Sequence, residues 1–309
     1  MRSLCLVLFA VVASGTTAVA GPIYLALGDS SAFGETNRTQ NPSNGDRGYV
    51  RPFADYLGTV YGTRPTVANF AINGETSSSF FSGQYATLAN PLGRISPDGQ
   101  SLNTNYIGLI DPTAQFVRMR AAFNAANSGN VRAVTLHLGA NDLDAASTDP
   151  AFAADPFGVI QATLNRFAGN YSGLLADVTG RFPNASVYAL GYHNPYNGEP
   201  PSPFNALADL AIRALNQYIA GLAAGYGATY VDVYGAINPN EANLTLIGTR
   251  PFDPVNYVHL NDAGYAAAGN QLIRAAGGQP VPEPASLLLV GMGGLVLLAR
   301  RKRRGKAVA

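Results

Sequence analysis

The sequence has few of the residues that build disulfides and metal sites. Its 309 residues include a single cysteine, Cys5, and three histidines, and no His-Glu-x-x-His motif occurs. One cysteine cannot form an intramolecular disulfide, so a folded domain must be stabilised by a hydrophobic core. The same scarcity of ligands argues against a catalytic metal, and we expect neither a metal nor a cofactor.

Charged residues are also scarce. They make up 13% of the chain, the net charge is +1, and the basic cluster lies at the C-terminus, over residues 300–304. Because no basic stripe occurs elsewhere, the sequence does not predict a nucleic-acid-binding protein. Internal repeats and a dividing linker are absent too, so residues 21–280 are expected to form one domain.

The first twenty residues have the order of a secretory signal peptide. Arg2 is followed by an apolar run over residues 4–12 and then by small residues that end at Ala20. The run is too short to span a bilayer, which needs about 20 apolar residues. We therefore expect signal peptidase to remove residues 1–20, and Cys5 with them.

The C-terminus carries a pattern of three parts. Pro282, Glu283 and Pro284 precede an apolar stretch over residues 285–299, and the basic cluster follows. This order resembles the PEP-CTERM sorting signal of Gram-negative bacteria; the alternative is a plain transmembrane anchor. The resemblance implies an exosortase as a partner. It also implies a protein of the cell envelope or a secreted protein, with exopolysaccharide association as one option.

Between these ends, short apolar runs alternate with longer helical patterns. This alternation predicts an α/β fold, a three-layer α/β/α sandwich around a five-stranded parallel sheet. The predicted loops are rich in Gly, Ser, Asn and Pro and cover residues 36–47, 74–105 and 194–203. The predicted strands are 23–27, 66–71, 131–138, 186–190 and 228–233, and the predicted helices are 50–61, 112–127, 156–179, 204–224 and 261–275.

Three of four short polar segments follow predicted strands, and the fourth lies between the last predicted strand and the last predicted helix. Each has an ordinary structural explanation: a tight turn, a loop glycine, an Asx cap or a loop histidine. In an open parallel sheet, however, the carboxyl ends of the strands line the ligand crevice, where the three segments at strand ends are expected to lie. The segments are Gly28-Asp29-Ser30, Asn73-Gly74, Gly139-Ala140-Asn141-Asp142 and Asn256-Tyr257-Val258-His259.

Together the four segments resemble the conserved blocks of the SGNH (GDSL-type) hydrolases: Gly-Asp-Ser, a Gly, Gly-x-Asn-Asp and Asp-x-x-His. The resemblance extends over about residues 24–265 and implies a flavodoxin-like fold and hydrolysis of carboxylic esters. By position it makes Ser30 the nucleophile and His259 the general base. The oxyanion hole would comprise the backbone N–H groups of Ser30 and Gly74 and the side-chain amide of Asn141.

The chain departs from the family at the third catalytic position. Where the family has an aspartate three residues before the histidine, this chain has Asn256. An asparagine oxygen can accept the imidazole N–H but supplies no negative charge. Three alternatives stay open: Asn256 orients His259, Asp253 reaches it instead, or a backbone carbonyl does so and leaves a dyad.

Several functions are compatible with these residues. The leading one is an exported esterase or lipase acting on lipid or small acyl esters, and an alternative is an exopolysaccharide O-deacetylase that uses the same site. A non-catalytic carbohydrate-binding or matrix protein is a third, favoured by Asn256 alone. Of the other histidines, His137 is expected in the core, and His193 is a candidate to line the cleft.

Overall fold

A parallel sheet of five strands forms the centre of the molecule. The computed structural model describes residues 21–35, 47–83, 114–124, 127–197, 202–246 and 258–279. The sheet order is β2-β1-β3-β4-β5, with every pairing parallel, as predicted. The strands are β1 (Ile23–Gly28), β2 (Thr66–Asn69), β3 (Val131–His137), β4 (Ser186–Leu190) and β5 (Thr229–Val231).

Helices cover both faces of the sheet. The five predicted helices are all present, four with ends within two residues of the prediction, whereas 112–127 is shorter and the short helices were not predicted. In chain order they are α1 (Ser30–Phe33), α2 (Val50–Tyr61), α3 (Ser77–Ser82), α4 (Gln115–Ala122), α5 (Ala140–Ser147), α6 (Pro156–Arg181), α7 (Pro203–Gly225), α8 (Val233–Ile237), α9 (Glu241–Leu244) and α10 (Asp262–Ala275). In the ranges that the structure describes, no helix is long and apolar enough to cross a membrane.

Helix α3 corrects the prediction of a loop over residues 74–105. Its sequence is mostly serine and has no helical periodicity, but Thr76 and Ser79 form a capping box. Thr76 Oγ1 accepts the Ser79 N–H at 3.0 Å, and Ser79 Oγ accepts the Thr76 N–H at 2.9 Å. Phe80 is fully buried against the sheet. Capping and one buried ring therefore form a helix where periodicity gives no signal.

Two cores lie on opposite faces of the sheet, because successive strand side chains point to opposite sides. On β1, Leu25 and Leu27 belong to one core, which is completed mainly by α6 and α7. Tyr24 and Ala26 belong to the other, which is completed mainly by α2 and α10. This arrangement is the predicted three-layer α/β/α sandwich.

The strand order has one topological switch point. The chain moves outward from β1 to β2 on one side and then returns to place β3 on the other side of β1. The connections after β1 and β3 therefore lead away to opposite sides and leave a crevice between their carboxyl ends, where α/β proteins bind ligands. Ser30 follows β1 and Asn141 follows β3, so both predicted site residues lie at this crevice.

Candidate active site

A tight turn between β1 and α1 presents Ser30. Gly28 has φ +141°, and a Cβ there would lie 2.1 Å from the carbonyl oxygen of His137, so only glycine fits. The Asp29 N–H donates to that same oxygen at 3.1 Å. Asp29 Oδ1 then accepts the N–H of Ser31 at 2.9 Å and caps α1. Ser30, the first residue of α1, is partly exposed.

A glutamine joins this turn to the one after β2. Gln115 Oε1 accepts the Gly28 N–H at 2.8 Å, and its Nε2 donates to the Gly28 carbonyl oxygen at 2.9 Å. The same Nε2 donates to Glu75 Oε2 at 3.0 Å, while Glu75 Oε1 accepts from Ser79. Gln115 and Glu75 are both fully buried. Gln115 therefore links the side chain of Glu75, the residue after Gly74, to the backbone that precedes Ser30.

Asn141 lies between these two turns. Its Nδ2 donates to the backbone carbonyl oxygen of Glu75 at 3.0 Å and is 3.4 Å from Asp29 Oδ2. Gly74, with φ +74°, stands in the left-handed region that favours glycine and turns the chain at this point. The structure thus brings three of the predicted site residues, Ser30, Gly74 and Asn141, to one place at the switch point.

Asp142, the neighbour of Asn141, anchors the start of α3. Its Oδ2 accepts the Ser77 N–H at 2.8 Å, and its Oδ1 accepts from Ser77 Oγ at 2.6 Å. Burial raises the pKa of Asp142, against the lowering effect of these two hydrogen bonds. Adjacent residues after β3 therefore hold both ends of the 74–77 turn, which gives the Asn-Asp pair a tertiary role beyond a local cap.

His259 lies on a short segment that pairs with the chain after α9. The Leu246 N–H donates to the His259 carbonyl oxygen at 3.0 Å, and Thr245 and Leu260 form an antiparallel bridge. Asn261 caps α10, accepting the Gly264 N–H at 3.0 Å. His259 is partly exposed. The alternative third members, Asn256 and Asp253, lie outside the described residues.

The remaining histidines are buried rather than exposed in the cleft. His137 is in the core, as expected, where burial lowers its pKa to about 3. His193 was a candidate to line the cleft, but it is 6% exposed and its Nε2 lies 3.1 Å from the carbonyl oxygen of Val258. Burial lowers its pKa to about 4, so its ring is neutral at physiological pH. His259 is therefore the histidine suited to proton transfer.

Asp29 is the buried acid closest in sequence to Ser30. Burial raises its pKa to about 7, against the lowering effect of hydrogen bonds from Tyr192 and the Ser31 backbone. Tyr192 Oη donates to Asp29 Oδ2 at 2.5 Å, and burial holds the pKa of this phenol well above its usual value. The phenol is thus a permanent donor to the residue before the candidate nucleophile.

Comparison with known proteins assigns the family. Residues 26–267 match the model of the GDSL-like lipase/acylhydrolase family. The chain belongs to this family. As a GDSL-type protein it is a hydrolase that acts on ester bonds, as its four polar segments predicted. Residues 280–304 match the PEP-CTERM protein-sorting motif, which indicates export and sorting to the cell envelope and implies recognition by an exosortase.

Solved structures share the fold of this GDSL-type hydrolase at low sequence identity. A lipase from a goat rumen metagenome is 18% identical, with a TM-score of 0.58 over 84% of this chain and 100% of that one. A catalytic mutant of an acetylxylan esterase from Geobacillus stearothermophilus is 16% identical, with a TM-score of 0.52 over 85% of this chain and 98% of that one. No curated protein was found to match this chain.

Sequence reasoning missed the residues that support the site from a distance. Gln115 lies on α4, 87 positions from Gly28, and Tyr192 lies 163 positions from Asp29. No local pattern marks either contact. The sequence offered one signal for Tyr192. This residue lies just after β4, at the same edge of the sheet as the predicted site residues.

Proposed function

We propose that this GDSL-type hydrolase is an exported serine esterase that forms an acyl-enzyme on Ser30. One observation carries the proposal: the Asn141 amide lies between the Ser30 turn and the Gly74 turn, at the topological switch point. Its Nδ2 bears two N–H groups, and Glu75 accepts one of them at 3.0 Å. The other donates to Asp29 Oδ2 at 3.4 Å, a long and weak hydrogen bond that we propose a substrate oxyanion replaces.

The proposed reaction is acyl transfer in two steps. His259 takes the Ser30 proton, the alkoxide attacks the ester carbonyl, and His259 then gives the proton to the departing alcohol. The carbonyl oxygen becomes negative in the transition state. The backbone N–H groups of Ser30 and Gly74 and the Asn141 amide then donate hydrogen bonds to it. Water activated by His259 hydrolyses the acyl-enzyme and restores Ser30.

Labelling and substrate profiling test this function. The protein is incubated with a p-nitrophenyl dialkyl phosphate, and peptide mass spectrometry locates the phosphoryl adduct, which is expected on Ser30. Hydrolysis of p-nitrophenyl acetate, p-nitrophenyl palmitate and acetylated xylan is measured in parallel. Preference for acetylated xylan supports a polysaccharide O-deacetylase, preference for palmitate supports a lipase, and preference for p-nitrophenyl acetate supports an esterase of small acyl esters. A folded protein that is neither labelled nor active on all three would instead be a non-catalytic binding protein.

The substrate class follows from that profile rather than from the fold. A lipase and an acetylxylan esterase have the same architecture as this chain at identities of 18% and 16%. Both proposed substrates, a lipid ester and an acetylated polysaccharide, are carboxylic esters, and each presents an ester carbonyl group to Ser30. Export to the envelope, where acetylated polysaccharides are exposed, is compatible with the second substrate. We also propose that residues 1–20 are removed on export.

We propose Asn256 as the third member that orients His259. Its replacement by alanine is expected to lower kcat about tenfold or more, because the imidazole loses the acceptor that fixes its ring. Replacement of Asp253 by alanine serves as the control and is expected to change kcat less than about threefold. Steady-state kinetics on p-nitrophenyl acetate measure both variants.

Other outcomes of this pair select the alternatives. A large loss with Asp253→Ala alone would make Asp253 the orienting residue. Small, equal losses would leave a dyad in which a backbone carbonyl accepts the imidazole N–H. Asn256→Asp adds the charge that stabilises an imidazolium, and it is expected to raise kcat where the surroundings solvate the carboxylate.

A further inference from the structure

The segment Tyr192–Asn194, one residue beyond β4, has no role in the proposed reaction, yet four side-chain hydrogen bonds hold its backbone. Asn216 on α7 accepts the Tyr192 N–H at 2.7 Å and donates to the Tyr192 carbonyl oxygen at 2.8 Å. Asn238 does the same for Asn194, at 3.0 and 3.2 Å. Two buried side-chain amides therefore fix the backbone on both sides of His193, which leaves the His193 backbone little conformational freedom.

From this fixed backbone, Tyr192 reaches the turn that carries Ser30. Its Oη donates to Asp29 Oδ2 at 2.5 Å, and Asp29 Oδ1 caps α1 through the Ser31 N–H at 2.9 Å. The Tyr192 ring packs on His137, with ring centroids 4.3 Å apart. Tyr192 is 3% exposed, so the hydrogen bond is shielded from bulk solvent. Tyr192 therefore sets the position of Asp29, and through it the start of α1.

The next residue, His193, reaches the segment that carries His259. Its Nε2 is 3.1 Å from the carbonyl oxygen of Val258. A carbonyl oxygen only accepts hydrogen bonds, so the proton must be on Nε2. Beyond His259, Leu246 donates to the His259 carbonyl oxygen at 3.0 Å. Hydrogen bonds thus fix the backbone at both Val258 and His259, and His193, from the segment after β4, donates the first of them.

We propose that Tyr192 and His193 are positioning residues that keep Ser30 and His259 in register for proton transfer. This inference rests on the proposed function of those two residues. Ser30 and His259 are far apart in the chain, and a displacement of about 1 Å between such groups can reduce the rate about a hundredfold. The segment after β4 links the Ser30 turn to the segment that carries His259, because its neighbouring side chains Tyr192 and His193 contact one each.

Paired substitutions test the role of His193. His193→Gln keeps an N–H donor at nearly the same reach, whereas His193→Asn is an equally polar amide too short to reach Val258. We expect His193→Asn to lower kcat about 10- to 100-fold with KM changed less than about threefold, and His193→Gln to recover most of the activity. A thermal unfolding curve first shows that each full-length variant is folded. Steady-state kinetics on p-nitrophenyl acetate then give kcat and KM.

A second pair tests Tyr192 independently. Tyr192→Phe removes only the donor to Asp29 and is expected to lower kcat about tenfold. Tyr226→Phe is the matched control, because Tyr226, directly after α7, bonds Ser172 Oγ on α6 through its Oη at 2.6 Å, on another part of the molecule. Its kcat is expected to be unchanged. Should His193→Asn fail to fold, this pair decides the proposal.

The outcomes separate this inference from the function it rests on. Equal activity in His193→Gln and His193→Asn, whether both high or both low, overturns positioning by the Val258 hydrogen bond. A change in KM alone also overturns it and would make the segment a substrate contact. Unchanged kcat in Tyr192→Phe overturns the part assigned to Tyr192. If Ser30→Ala retains activity, the proposed function itself is wrong, whatever the other variants show.

Discussion

Alanine at position 30 is expected to lower kcat/KM for p-nitrophenyl acetate by about 10⁴- to 10⁶-fold and to leave thermal stability nearly unchanged. The loss is large because no other group in the proposed mechanism forms the acyl-enzyme. His259→Ala is expected to cost about as much, and the double variant no more than either single one, because nucleophile and base act as one unit.

A neighbouring serine provides the control for this experiment. Ser31 lies one residue further along α1, and its hydrogen bond to Asp29 uses its backbone N–H, which alanine retains. Ser31→Ala is therefore expected to keep at least about a third of the activity. A loss in Ser31→Ala as large as in Ser30→Ala, or a Ser30→Ala variant with nearly full activity, would contradict the assignment of Ser30 as nucleophile.

Asn141→Ala is expected to lower kcat by about 10²- to 10³-fold with a much smaller change in KM. Its amide is proposed to bind an oxyanion that exists only in the transition state, so the loss falls on the chemical step rather than on substrate binding. Steady-state kinetics on p-nitrophenyl acetate measure the two parameters separately.

Asn170→Ala is the matched control for that change. Asn170 Nδ2 donates to Ser77 Oγ and Ser78 Oγ, both at 3.1 Å, and so supports the start of α3 from α6. It has the same side chain as Asn141 and lies near the same turn, but its side-chain amide contacts α3 rather than the Ser30 turn. We expect kcat to fall less than about threefold. Equal losses in the two variants would mean that Asn141 acts only by supporting the turn.

The strands and long helices were predictable because burial imposes a pattern on the sequence. Strands covered on both faces appear as short, nearly continuous apolar runs, and β4 begins and ends where predicted. Helix α3 was not predictable in this way, since it is six residues long and mostly serine. It depends on the cap at Thr76 and on a buried Phe80, and burial depends on what the rest of the chain places opposite.

The sequence alone was enough to nominate Ser30, Gly74, Asn141 and His259, because each lies in a short block of fixed chemical type, three of them after a strand and the fourth before α10. Those blocks also indicated the family, and the C-terminal motif indicated export to the cell envelope. The spacing between the blocks is irregular, however, and it does not indicate which side chains meet.

Only the tertiary structure decided how that site is held together. Gln115 binds Gly28 across 87 positions, Tyr192 reaches Asp29 across 163, and His193 contacts the backbone of Val258 across 65. Such contacts depend on the strand order, which brings the carboxyl ends of β1, β3 and β4 to one edge. A hydrogen bond forms between atoms about 3 Å apart whatever their separation along the chain, and so local sequence carries no record of it.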